Sequence, residues 1–368
     1  MSGPLNVPAN GLTAAGNQLV LAGGQVGIGT ATPGAQLEVA GNLKISGGGS
    51  GLTFPDGTTQ TTAGNPAGVV GVNPLQVALL KWFPAYSQFD AFPVGLTPTG
   101  VVFDGTNIWV SNRGDGTVTE LAVSNGKVVQ TVTTGCSGSD VPWGLAFDGA
   151  GIWVALYGSN QIARLYYTNN PPFQCFGNLG GLGPVGLAFD GTNIWVTNHL
   201  GSTVTRLNLN LFNPEPFNVG TGPYGVAFDG ANIWVANEGS NTVTKLRTSD
   251  GACVGTCTFG VGASPIGVAF DGSNIWVANY GSNTVTKLLA SNGTVVGTYN
   301  VGFKPYGLAF DGTNIWVTNS GTNTVTKLDA SGGQVLGTFT VGNNPLGIAF
   351  DGVNIWVANA SDNTVSKL

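Results

Sequence analysis

The chain has 368 residues, of which only 8% are charged and 42% hydrophobic, with 60 glycines and a net charge of −6. That composition is too apolar and aromatic for a disordered chain, and so many glycines suit turns between numerous short strands. The acidic balance leaves no basic footprint for nucleic acid, and no run of eighteen apolar residues would cross a bilayer. The opening MSGPLNVPANGLTAAG lacks the basic and apolar regions of a secretory signal.

Residues 1–64 contain no copy of the repeat described below. They carry short β-like runs, QLVLAGGQVGIG, AQLEVAGNLKIS and GLTFPDGTTQTTAG. Leu37, Val39, Leu43 and Ile45 alternate along the middle run, which turns at Ala40-Gly41-Asn42. A segment with so few large apolar groups cannot close a core by itself, so it must pack on a partner, most simply its own copies. The phrases VGIGTATPGAQLEVAGNLKIS and GLTFPDGTTQTTAG resemble stalk segments of phage-tail-fibre-like and bacterial surface proteins. That resemblance implies intertwined trimeric β-structure and therefore a homotrimer. Such stalks often precede an intramolecular chaperone domain, and no such domain follows here.

Residues 65–85 read as a linker and a short helix. Asn73-Pro74 supplies an N-cap and a proline at the first helical position, and Leu75, Ala78, Leu79, Trp82 and Phe83 follow at helical spacing until Pro84. Ten residues of helix do not stand alone in water, so it must dock on the following domain or on sister helices.

From residue 86 onward one sentence recurs seven times. Its clearest copy is GLAFDGTNIWVTNSGTNTVTK, residues 307–327. The Asp of its Phe-Asp-Gly phrase falls at Asp104, Asp148, Asp190, Asp229, Asp271, Asp311 and Asp351, and a Trp follows five residues later each time. A period near forty with four strand-like runs per unit predicts a seven-bladed β-propeller, an all-β fold. In the sixth copy the strands should be 306–310, 314–319, 324–330 and 334–342. The seventh copy reaches Leu368 after its third strand, while Ser87–Gly95 reads like an outer strand standing before the first copy. Pairing the two closes the ring and removes two exposed sheet edges.

Within the repeat, Asp-Gly-x-Asn is turn chemistry joining the first two strands, and the Trp should wedge between neighbouring blades. Glu120, Arg164, Arg206, Lys245, Lys287, Lys327 and Lys367 share one third-strand position. Antiparallel pairing brings the six basic ones beside the Asp turns, so a ring of Asp–Lys/Arg pairs is expected, each worth about 0–1 kcal/mol. Of the four cysteines, Cys136 and Cys175 precede equivalent strands of adjacent blades, which permits a bridge. Cys253 and Cys257 would lie roughly 13 Å apart in a strand, too far for a bridge unless the chain bulges at Gly255. Buried or incidental free thiols are the alternative for all four. With one histidine in the chain they make a poor zinc set.

The repeat loses its uniformity at one end of the blades. After each entering Pro stand Thr99, Trp143, Val185, Tyr224, Ile266, Tyr306 and Leu346. Four residues after each Trp stand Arg113, Tyr157, His199, Glu238, Tyr280, Ser320 and Ala360. Varied residues on a rigid scaffold are where recognition resides. The candidate ligand-binding set is therefore Arg113, Trp143, Tyr157, His199, Tyr224, Glu238, Tyr280 and Tyr306, suited to a sugar or another neutral polar ligand. Drift at exposed loop positions is the plainer reading.

The phrase P-x-G-[LVI]-A-F-D-G-x-N-I-W-V-x-N, over residues 86–368, resembles the YVTN/NHL class of propeller repeats and its virginiamycin B lyase-like branch. In that lyase a His on one blade and a Glu-x-His on the next carry acid–base and magnesium chemistry. The resemblance places His199 and Glu238 in equivalent positions, but residue 240 is Ser and no second histidine exists. A positioned base is missing from that set, and no nucleophile elbow or phosphate loop appears. Neither a catalytic residue nor a cofactor or metal is called for. The expected function is a non-enzymatic display or adhesion protein, a homotrimer at an extracellular, cell-surface or virion-like location, whose propeller heads bind a surface glycan or protein. A lyase-like enzyme and a purely structural filament or sheath subunit are the alternatives.

Overall fold

The computed structural model describes residues 90–368 apart from 139, 167–172, 210–212 and 254, and the backbone of six strands between residues 12 and 61. The chain divides into two compact units, Met1–Trp82 and Phe83–Leu368. In the first, Leu12–Ala14, Asn17–Ala22 and Gln25–Ile28 pair antiparallel in sequence order, and Leu37–Val39 joins the third in parallel. Gly51–Thr53 and Thr59–Thr61 form a separate hairpin. Five of these strands coincide with the three β-like runs to within one residue, whereas Leu12–Ala14 precedes the first run and is not among the expected elements. Leu43, Ile45 and the helix expected over residues 73–83 lie outside the described residues.

The second unit is a seven-bladed propeller of seven four-stranded antiparallel sheets. The sixth blade is typical: Pro305–Phe310, Asn314–Asn319, Thr324–Asp329 and Val335–Thr340, each within about two residues of the expected strands. First strands of successive blades touch one another around the axis, and that of the seventh meets that of the first. The seventh sheet is completed by Asp90–Pro93, which pairs with Thr364–Lys367, Phe92 lying opposite Val365. The ring is thus closed by the chain's own early strand, as its GTFTVG-like phrase implied.

Every second strand is buried on both faces, so its Ile-Trp-Val triplet fills the space between blades. Trp109 packs on Ile152 and Val154 of the next blade, Trp153 on Ile194 and Val196, and so on to Trp356 on Ile108 and Val110. Burying an indole of this size contributes on the order of 4–6 kcal/mol before entropy is counted. The burial is tolerable because every indole Nε1 donates to the Asp five residues earlier, at 2.7 Å in all seven blades. The other oxygen of that Asp accepts two N–H groups of the turn, for example Thr313 and Asn314 at Asp311. One carboxylate therefore holds both the hairpin and the wedge.

This saturation corrects the expected ring of Asp–Lys/Arg pairs. Only Arg164 pairs with its turn Asp, Asp148, at 2.5 Å. Blade 2 has Gly151 where six blades have Asn, and a Cβ at Gly151 would lie 3.2 Å from Arg164 Nε. The missing Asn leaves an Asp oxygen and the space for the guanidinium. In other blades the cation passes over the Trp ring, as Lys245 does at 5.0 Å from Trp234. Lys245, Lys287, Arg206 and Lys367 then donate to carbonyls at the third-strand end of the following blade, such as Ala290 and Ser291 for Lys245. The cations tie blade to blade. Glu120, the acidic exception, instead accepts from Asn107 and Gln130 within its own blade.

All four cysteines are bridged. Cys136–Cys175 links the outer parts of blades 1 and 2, and Cys253–Cys257 has Cα atoms only 5.5 Å apart. The free-thiol reading is overturned for both pairs. Between the two cysteines Gly255 sits at φ +67°, which no extended strand has, and the outer strand of blade 4 begins only at Thr258. In a chain-entropy view the 39-residue separation of the first bridge is worth about 4 kcal/mol and the four-residue separation of the second about 2 kcal/mol. The Cys136→Ser/Cys175→Ser variant should therefore lower the melting temperature more than Cys253→Ser/Cys257→Ser; the reverse order in calorimetry would contradict this.

Burial alone would raise the carboxyls of Asp271, Asp311 and Asp351, but hydrogen bonds from the Trp, the Asn and the turn N–H groups outweigh it and hold all three below the usual 3.8. A depressed folded-state value stabilises the fold above the unfolded value and ceases to do so as pH falls through the folded one. Melting temperature should fall below about pH 4. The triple variant Asp271→Asn/Asp311→Asn/Asp351→Asn should be less stable near neutrality, by roughly 1–3 kcal/mol per site, with a flatter acid limb. Identical acid profiles in circular dichroism melts would refute the role given to these carboxylates.

Candidate functional site

The irregular end of the propeller is built by two sets of loops tied together by backbone. The carbonyl of the residue before each entering Pro accepts the N–H of the residue four after the Trp of the same blade: Thr97 from Arg113, Val141 from Tyr157, Gly183 from His199, Gly222 from Glu238, Ser264 from Tyr280, Lys304 from Ser320 and Asn344 from Ala360. Five of those pre-proline N–H groups donate to an Asn side chain of the preceding blade, among them Ser264 to Asn241 and Lys304 to Asn283. Both variable positions thus stand on one rigid rim.

Each first strand then breaks register with the second between the Pro and the residue three later, a bulge present in all seven blades. Bulges re-aim side chains. Here the bulge turns the residue after the Pro toward the axis. The Gly that follows is required by crowding, since a Cβ at Gly225 would lie 2.2 Å from the Ile266 carbonyl and one at Gly144 2.3 Å from that of Val185. The first strands enclose an axial cavity of about 180 Å³, lined by these glycines and by Trp143, Tyr224 and Tyr306.

Size decides where the post-proline residues go. Thr99, Val185, Ile266 and Leu346 are buried in the neck, as is Ala360 on the other loop set. The larger Trp143, Tyr224 and Tyr306 are only partly buried and extend into the mouth. Of these five varied positions, Thr99, Val185 and Ile266 line the narrow axial cavity, and only Leu346 and Ala360 are buried away from it.

The remaining residues form a contiguous aromatic floor centred on Tyr224. Its ring meets Trp143 at 6.1 Å, His199 at 5.6 Å and Tyr306 at 5.8 Å, all edge to face. Its hydroxyl shares a short hydrogen bond with that of Tyr306 across the mouth. Tyr157 lies 5.4 Å from Trp143, over Gly183, where a Cβ would approach the Tyr157 ring to 2.9 Å. The Arg113 guanidinium lies 4.6 Å from the Trp143 ring centroid. His199 Nε2 stands 4.0 Å from Glu238 Oε2. Seven of the eight candidate residues are thus brought together, and the eighth, Tyr280, pairs instead with Lys304, whose Nζ is 5.5 Å from its ring. One buried nitrogen on this floor, His199 Nδ1, has no hydrogen-bond partner among the described residues, while the Trp143 indole is directed at the Tyr224–Tyr306 hydroxyl pair.

Lys304 escaped the sequence reading although it is the only charged residue before an entering Pro, which was the available signal. An apolar rim also escaped it: Leu96, Leu182, Leu200 and Phe303 are each at least half exposed around the same loops. Single exposed apolar residues carry no sequence signature, and only their convergence on one face distinguishes them.

The donor set for a lyase-type magnesium site does not assemble. His199 and Glu238 face each other, but Ser240 turns its hydroxyl to Thr242. No group of three or more His, Cys, Asp or Glu among the described residues is placed to hold a metal ion.

No family profile matches the chain, and no curated protein matches it in sequence. Solved structures do share its fold. A streptogramin B lyase is superposable with TM-score 0.65 at 18% identity, covering 76% of this chain and 96% of that one. Virginiamycin B lyase from Staphylococcus aureus gives 0.64 at 18% over 76% and 99%, and Kuenenia stuttgartiensis hydrazine synthase 0.63 at 18% over 76% and 97%. At this identity the likeness is one of fold: the protein is a seven-bladed propeller resembling virginiamycin B lyase.

Burial pushes the Tyr224 hydroxyl well above its usual value, with the Tyr306 hydroxyl adding to the effect, and burial likewise raises Tyr306. In an absorbance titration these two phenols should ionise late, above the ordinary range of a tyrosine. Tyr224→Phe and Tyr306→Phe should each delete one late step; an unchanged late amplitude would mean that the pair is open to solvent.

Proposed function

We propose that the propeller is a non-enzymatic recognition head whose aromatic mouth binds a surface saccharide. The observation that carries this reading is the floor of Trp143, Tyr157, Tyr224 and Tyr306, built from varied positions on an otherwise repetitive frame and edged by Arg113, His199 and Glu238. Flat rings offer the apolar faces of a sugar a stacking surface, and the His199 Nδ1 without a partner among the described residues supplies a directional contact for a hydroxyl. A protein partner would meet the same surface through the apolar rim.

Display on a fibre extends this reading. The tail-fibre-like phrases of residues 19–64 favour a trimer, and three linked heads raise avidity by orders of magnitude when their targets lie within reach. Two disulfides with no free cysteine among the described residues suit an oxidising, extracellular setting.

The enzyme alternative rests on the facing His199 and Glu238. It requires activity that falls when either residue is replaced, whereas the recognition reading requires binding without turnover. On a glycan panel, Trp143→Ala, Tyr224→Ala and Tyr306→Ala should each abolish any binding seen with the parent chain. Unchanged affinity in all three would sink the assignment of the mouth. Light scattering should give a trimer for the full chain and a monomer for residues 86–368; a monomer for both would remove the fibre reading.

A further inference from the structure

Arg113 differs from the other arginines. Arg164 pairs with Asp148, Arg206 with Glu215 and Arg247 with Asp250. All four arginines of the chain are among the described residues, and Arg113 alone has neither a carboxylate nor a side-chain hydrogen-bond partner there. Its guanidinium is half-buried and rests on Trp143 at the inner edge of the mouth. Stacking on an indole orients the planar fork and leaves its edge of N–H donors open, the arrangement that suits a bidentate carboxylate.

Lys304 repeats the pattern more weakly. Its Nζ lies 5.5 Å from both the Tyr280 and the Phe303 ring centroids, with no carboxylate partner among the described residues. The acidic groups of the same loops are mostly occupied locally. Asp115 accepts from Leu96 N–H and the Thr117 hydroxyl, Asp140 from Thr134, Cys136 and Ser137, and Asp362 from Asn343. Glu238 faces His199. Three of these four anions are folded into the loop framework and Glu238 stays beside His199 at the mouth, while two cations are presented on aromatic mounts.

We infer that the saccharide taken by this mouth is acidic: a hexuronate unit whose carboxylate is held by the fork of Arg113 and whose apolar ring face lies on the neighbouring Trp143–Tyr157 pair. This rests on the reading of the mouth as a saccharide site and adds its charge class. Arg113 is then the specificity-determining residue, because a carboxylate takes two guanidinium donors at once in charge-assisted bonds and offsets the buried charge, whereas the hydroxyls of a neutral sugar accept only weaker bonds and leave that charge uncompensated.

The test uses the full chain and five immobilised polymers: polygalacturonate, alginate, fully methyl-esterified polygalacturonate, dextran and dextran sulfate. The acid and ester forms share one backbone and differ only in charge. Binding to polygalacturonate or alginate should exceed binding to the ester and to dextran, and should weaken as salt screens the contact. Arg113→Gln should lower affinity for the acidic polymer by roughly 10- to 100-fold, while Arg113→Lys should recover part of it. Unchanged melting temperatures would confirm that both variants fold. Equal binding of acid and ester forms with Arg113→Gln silent would overturn the acidic assignment and leave the saccharide reading intact. Equal binding to dextran sulfate, again with Arg113→Gln silent, would overturn it as general charge attraction. Binding to none of the polymers would overturn both readings.

Discussion

One contact sets the architecture: the hydrogen bond from each repeated Trp to the Asp five residues before it. The Asp oxygens are shared between the indole and the N–H groups of the hairpin turn, so the turn cannot form correctly without placing the wedge. The wedge in turn fills the gap to the Ile and Val of the next blade. A local turn and a long-range packing contact are thereby one event, repeated seven times. Such coupling between local and tertiary preference is what a minimally frustrated sequence is expected to show.

The cations follow from the same contact. With the Asp oxygens taken, and although Arg206 also reaches Glu215 on its outer strand, a basic side chain at the third-strand position has no turn carboxylate to pair with. It lies over the Trp and reaches the carbonyls of the following blade. Where Gly151 replaces the turn Asn, an Asp oxygen is freed and Arg164 falls back into the pair. The difference between one ion pair and several inter-blade ties is set by a single missing side chain.

At the opposite end the frame gives way to variety. The loops there are fixed by backbone hydrogen bonds and by Asn side chains reaching between blades, so side-chain identity can change without moving the rim. The bulge in each first strand sends the post-proline side chain inward. Small ones vanish into the neck, and the rings too large for it form the floor of the mouth. The same backbone device thus yields core at four positions and surface at three, and side-chain volume alone decides which.

The sequence by itself determined the number of blades, the strand order within them, the Trp wedge and the closure of the ring by a strand ahead of the first copy, seen as Asp90–Pro93. All of these depend on periodicity and turn chemistry, which are written locally and repeated. It also pointed to seven residues that meet at the mouth, because variation against a constant repeat is visible in a single chain. Only the tertiary structure decided that Tyr224 and Tyr306, 82 residues apart, share a hydrogen bond, that Arg113 lies unpaired over Trp143 of the next blade, and that Tyr280 belongs with Lys304. It also decided that the turn carboxylates answer to tryptophans rather than lysines, and that Cys253 and Cys257 meet. These outcomes turn on how a bulge aims a side chain, which donor reaches an acceptor first and whether a short segment stays extended. Such quantities are set in three dimensions and leave no period in the sequence.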